Sequence, residues 1–201
     1  MRLFSNIISG MFHPLLMVTY GVVLALTFTY LAIYPPAMKL LLAGGAFLST
    51  AVIPGAFIFM MVKNGAGPDR HERVVPYLIF ITSIMVCAFY MYKMMLPFWF
   101  ISLLLGACVA LILALLINFF WKISAHAIGT GGLLGGIMGV ARIHLINPYW
   151  AFIIVILIAG LVGTSRIFLK RHTPMQVYAG FCLGFICTFV ASFLSYIYLF
   201  I

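Results

Sequence analysis

The chain has 201 residues, of which 66% are hydrophobic and only 6% charged, where a soluble domain carries roughly 25% charged residues. Such a composition excludes a water-facing surface and leaves an all-α, polytopic transmembrane bundle of about six to seven spans, forming a single domain over residues 1–201. The formal net charge of +9, with Asp69 and Glu72 the two acids, does not indicate nucleic acid, because the cations stand between apolar runs and read as interfacial anchors or binders of an anionic head group.

The N-terminus has one Arg followed by Phe, Ile and Met with no small-residue cleavage site, so the first apolar run reads as a retained helix and not as a removed signal peptide. A helix crosses the hydrocarbon core with about 20 apolar residues. Seven stretches approach this, at 15–33, 40–62, 77–92, 97–120, 123–141, 149–169 and 177–200. Tyr34-Pro35-Pro36 ends the first, Pro97 closes the break near Lys93, and Asn147-Pro148 separates the fifth from the sixth, since proline cannot continue a helix. Cys87, Cys108, Cys182 and Cys187 all lie inside apolar runs with no C-x-x-C pair, and read as small packing residues. Six glycines crowd the fifth span (Gly129, Gly131, Gly132, Gly135, Gly136 and Gly139) without the Lys-Ser/Thr of a phosphate loop. The spacings Gly132/Gly136 and Gly135/Gly139 predict close helix packing, which carries His126 toward the last two helices. His13, within Phe12-His13-Pro14, and His144 have no evident partner and read as structural.

Seven spans fix sidedness. Segments 63–76, 121–126 and 165–176 then share one membrane face, bringing Lys63, Arg70, His71, Arg73, Lys122, Ser124, His126, Ser165, Arg166, Lys170, Arg171 and His172 together with both acids. The other face holds Lys39, Lys93, Arg142 and His144. Ionisable groups at membrane depth are costly and mark function. Segment 63–76 is turn-forming and also reads as a solvated loop with internal ion pairs. Ser124 fits the N-cap of the fifth span, whose free N–H groups suit a phosphate, with His126 beside it as proton donor. Thr173-Pro174-Met175-Gln176 fits a capping box opening the last helix, with His172 just ahead of it.

These residue types support phosphoryl transfer. Guanidinium groups bind phosphate oxygens in bidentate fashion, one imidazole attacks phosphorus, and a second protonates the leaving oxygen. Two acids supply no carboxylate cluster for Mg²⁺ or Ca²⁺, so such an enzyme is expected to be metal-independent and without a cofactor.

The spacing resembles the type-2 phosphatidic-acid phosphatase superfamily, whose motifs are KxxxxxxRP, PSGH and SRxxxxxHxxxD. Ser165-Arg166, five residues, His172, three residues and Gln176 match the third; Ile123-Ser124-Ala125-His126 matches the second in part. Lys63, six residues, Arg70 and His71 match the first more loosely, with Arg73 and Pro76 as an alternative R-x-x-P. The likeness covers about residues 60–190. It implies a lipid phosphatase acting on phosphatidate or a polyprenyl phosphate or diphosphate. His172 is the implied nucleophile, forming a phosphohistidine, and His126 the implied general acid. Lys63, Arg70 or Arg73, Ser124 and Arg166 are the implied phosphate ligands. Gln176 stands where the family has Asp, as in branches resembling dolichyl-diphosphate phosphatases; its amide oxygen accepts the imidazole N–H but offers no charge, which Glu72 is expected to supply from the first loop. The departures at His71, Ala125 and Gln176 support the alternative of a degenerate member that binds or moves an anionic lipid. With the implied phosphate ligands set aside, Lys39, Lys93 and Arg142 against Arg2 put the motif face outside, the usual working side of the family, in an inner (cell) membrane.

Overall fold

The computed structural model describes residues 2–63 and 74–198, with the side chains at 62, 63, 197 and 198 excepted. Among these residues the chain forms nine α-helices: α1 (Arg2–Met11), α2 (Pro14–Phe28), α3 (Pro36–Phe47), α4 (Ile53–Lys63), α5 (Val74–Lys93), α6 (Phe98–Phe120), α7 (Ala125–His144), α8 (Tyr149–Phe168) and α9 (Pro174–Tyr198). A 3₁₀ turn, Tyr30–Ile33, follows α2. A π-helical stretch, Leu48–Val52, joins α3 to α4, where Pro54 offers no N–H and crowds the carbonyl four residues back.

Five helices among the described residues are long and apolar enough to cross a membrane: Pro36–Met61, Val74–Lys93, Phe98–Phe120, Tyr149–Phe168 and Pro174–Tyr196. The pair α1 and α2, bent by 55°, makes a sixth where the two together count as one span. Phe59, Val86, Phe89 and Leu157 are each exposed by 60% or more. An outer surface of that kind is sustained by hydrocarbon and not by water. The chain is a helical membrane protein.

The fifth predicted span, α7, falls short on apolarity because it is rich in glycine and carries His126, Arg142 and His144. Its 20 residues still measure about 30 Å, a bilayer core's thickness. It packs against α9, α8, α2 and α6. Enclosed by protein, it needs little lipid-facing hydrocarbon.

The closest packing is between α7 and α9. A Cβ on Gly131 or Gly135 would strike the carbonyls of Phe181 and Phe185, and one on Gly184 would strike the carbonyl of Ile128. Only glycine permits this approach. Thr188 Oγ1 donates across the seam to the Gly132 carbonyl at 2.9 Å, a bond worth about 0.6–2 kcal/mol in a membrane interior. The row that meets α9 is therefore Gly131/Gly135/Gly139. Gly136, paired with Gly132 in the sequence reading, faces Leu103 of α6 instead.

The sequence placed the first span from residue 15. The structure adds α1 ahead of it, a short helix that packs along α8. Its Ser5, Ile8 and Ser9 are buried, while Leu3, Phe4, Ile7 and Met11 face outward. The bend falls at Phe12-His13-Pro14, where His13 Nδ1 accepts from Leu15 N at 3.4 Å and Pro14 occupies the first helical position.

Candidate active site

The short connection between α8 and α9 builds one wall of the site. Leu169 N donates to Ser165 O, Lys170 N to Ile167 O and Arg171 N to Arg166 O, the pattern of a Schellman cap. Its left-handed position, usually glycine, is Lys170 at φ 53°. This turns the chain so that Arg166 ends one helix and His172 precedes the next. Lys170→Gly is expected to stabilise the fold by about 1 kcal/mol, raising the thermal midpoint in detergent by roughly 2–4 °C.

The predicted capping box forms. Gln176 N donates to Thr173 Oγ1 at 3.4 Å, and Thr173 N donates to Gln176 Oε1 at 3.1 Å. The same Oε1 lies 3.1 Å from His172 Nδ1. A backbone N–H only donates, so the atom facing it is the amide oxygen. That oxygen only accepts, so Nδ1 carries the imidazole proton. The lone pair of the neutral ring then sits on Nε2. His172 itself is buried, 8% exposed.

The opposite wall is the start of α7. Ser124 is fully buried and caps the helix by accepting from Ala127 N at 3.4 Å. Its backbone N–H donates to the Gln176 carbonyl at 3.3 Å. A Cβ on Gly180 would lie 2.7 Å from the Ser124 carbonyl, so α9 rises directly against the cap. Half-buried His126 follows, with the Arg166 guanidinium and His172 both within electrostatic reach of it. Ser124, His126, Arg166, His172 and Gln176, chosen from sequence, thus converge at one end of the bundle. Of the remaining choices, Arg70, Arg73 and Glu72 lie outside the described residues, as does the side chain of Lys63.

No family model, curated protein or solved structure matches the chain.

Three groups at the site had no signal in the sequence. His13 meets His126 edge-to-face with ring centroids 5.4 Å apart, and it also feels the Arg166 charge. Ser9 O lies 3.1 Å from His126 Nε2; a carbonyl only accepts, so this nitrogen carries a proton. Ser9 Oγ is buried and has no hydrogen-bond partner among the described residues. Outside these walls, Lys122, Lys170 and Arg171 border a shallow basin that reaches His172 and Gln176. The partner expected to be absent for His144 also exists. His144 packs edge-to-face on Tyr30 and Trp99, with centroids 5.4 and 5.1 Å away; their connections lie at the opposite end of the bundle.

Proposed function

We propose that this chain is an integral-membrane lipid phosphatase, a divergent relative of the type-2 phosphatidic-acid phosphatases. Its substrate is phosphatidate or a polyprenyl phosphate or diphosphate, cleaved through a phosphohistidine. The observation that carries this reading is His172, whose Nδ1–H is fixed by Gln176 Oε1, together with His126, which has both His172 and Arg166 within electrostatic reach. The Nε2 lone pair of His172 forms the bond to phosphorus as the P–O bond to the lipid or leaving phosphate breaks. His126, as imidazolium, donates a proton to that oxygen and is left neutral. It then takes a proton from water as the water oxygen bonds to phosphorus and the P–Nε2 bond breaks, which restores both histidines. Arg166, the N–H groups at the start of α7 and Lys63 with Arg70 or Arg73 hold the phosphoryl oxygens. The basin cations Lys122, Lys170 and Arg171 draw an anionic head group toward it. No metal or cofactor enters this scheme. The motif face lies on the periplasmic or extracellular side of the cell membrane.

The test is phosphate release from phosphatidate and from a polyprenyl diphosphate, in detergent with EDTA. Release from either supports the reading; none from both sinks it. Gln176→Ala removes the acceptor for both His172 Nδ1 and Thr173 N, and turnover is expected to fall about 10²-fold or more, as when a tautomer-fixing partner is lost. Gln176→Glu keeps an acceptor in place and is expected to remain within roughly tenfold. Equal losses in both variants would show that the amide oxygen does not orient the nucleophile.

One contact favours a second reading, a catalytically degenerate member that binds or moves an anionic lipid. The His126 proton is directed to the Ser9 carbonyl, and a leaving oxygen has to displace that carbonyl to receive it. Lipid binding without phosphate release would select this alternative.

A further inference from the structure

A cavity of about 140 Å³ runs through the bundle beside α7. Its lining spans α2 from Pro14 to Thr29, a depth of about 22 Å at 1.5 Å per residue. The far wall is α6, from Phe100 to Leu111. The α2 helix leans on α3 and α7, and its packing on α6 is sparse.

The cavity offers almost nothing to water. Its two hydroxyl side chains are Thr29 and Thr188. Thr29 donates to Ala25 O at 2.6 Å and Thr188 to Gly132 O at 2.9 Å. A buried water requires two to four polar partners, and apolar cavities of about this size stay dry and take up small hydrocarbons. In a membrane the available filling is an alkyl chain.

Its upper end identifies the chain. Pro14 and Ala125 line the cavity and are the covalent neighbours of His13 and of Ser124 and His126. The slot therefore begins beneath the candidate phosphate site and descends into the bilayer. On α7, Gly129, Gly132 and Gly136 line it, as does Gly21 on α2, which lies against Leu133. A Cβ on Gly21, Gly132 or Gly136 would already be in van der Waals contact, at 3.5, 3.5 and 3.4 Å, and one on Gly129 would lie 2.6 Å from Met17 Cγ, so larger side chains here would narrow the cavity.

We infer that this cavity receives a segment of one hydrocarbon chain of the phosphorylated lipid, with its head group at Ser124, His126 and His172. The inference rests on the phosphatase reading for the head group, while the slot itself rests on the cavity. It makes the substrate a lipid recognised by its tail as well as its phosphate.

The test uses a phosphatidate carrying a diazirine midway along one acyl chain, photolysed on the purified protein in detergent. Gly136→Leu fills the slot; Gly160→Leu, where a Cβ meets nothing within 4 Å, is the control. The expected result is cross-linking to Val18, Gly21 and Leu103, reduced at least tenfold by Gly136→Leu and unchanged by Gly160→Leu. Cross-links confined to outer positions such as Ile156 and Leu157, or insensitive to Gly136→Leu, overturn the slot. Because cross-linking requires no turnover, absence of phosphate release defeats the phosphatase reading without deciding this one. If release does occur, Gly136→Leu is expected to raise KM at least tenfold for the long-chain phosphatidate and to spare a soluble aryl phosphate. Equal losses on both substrates also overturn the slot.

Discussion

His172→Ala is expected to reduce phosphate release by at least about 10⁴-fold, the scale seen when a nucleophile is removed from an otherwise intact site. The folded protein should survive the change. The capping bonds between Thr173 and Gln176 do not pass through the imidazole, and the turn ahead of it is closed by backbone bonds. A protein that elutes and melts like the parent but releases no phosphate would isolate the chemical role. His126 separates the two halves of the reaction. Its task in the first step is to protonate a poor leaving group, so His126→Ala should lose heavily on a lipid phosphate and little in the burst from an aryl phosphate whose phenolate leaves unaided. Breakdown of the intermediate would then be slow, and acid-labile phosphate should accumulate on His172, detectable by mass spectrometry. Equal loss on both substrates would remove His126 from the acid role. Survival of activity in His172→Ala would end the phosphohistidine mechanism altogether.

The parts legible in the sequence were those encoded by neighbours in the chain. Proline and asparagine marked the breaks between spans. Thr173 and Gln176 marked the start of α9, and Ser124 marked that of α7, because a cap is made within three residues of itself. Counting spans was enough to bring Ser124, His126, Arg166, His172 and Gln176 to one end. What escaped was set by contacts distant in sequence. Ser9 and His126 are 117 residues apart, and neither α1 nor the bend at His13 announces that this helix will lie along α8. The choice between glycine rows was also hidden. Spacing of four selects a face of α7 for close packing but gives no indication of which neighbour each face meets. The structure shows it: Gly131, Gly135 and Gly139 admit α9, Gly132 meets α9 while also lining the cavity, and Gly136 faces α6.

Gly184→Val should prevent assembly of the bundle. The Cβ it introduces would meet the Ile128 carbonyl and stand 2.8 Å from Gly132 N. Overpacking of side chains in an ordinary core costs about 1–3 kcal/mol, because neighbours change rotamer. Here the obstacle is helix backbone, which yields only if α7 and α9 separate. Separation also breaks the Thr188–Gly132 bond, and α9 has no room to shift toward α6, where a Cβ on Gly106 would already lie 2.7 Å from Ala191 Cβ. A cost above that range consumes much of a net stability of about 5–15 kcal/mol. The expected outcome is aggregated or degraded protein on size exclusion in detergent, with Gly160→Val behaving as the parent. The same geometry bears on chemistry. Ser124 N reaches the Gln176 carbonyl only because α9 lies against α7, and Gly180, one turn before Gly184, touches the Ser124 carbonyl. Any Gly184→Val protein that does fold should therefore hold His126 and His172 at a greater separation, and lose phosphate release by more than its loss of stability explains. A stable and fully active Gly184→Val protein would show that the tight seam between α7 and α9 does not set the geometry of the site.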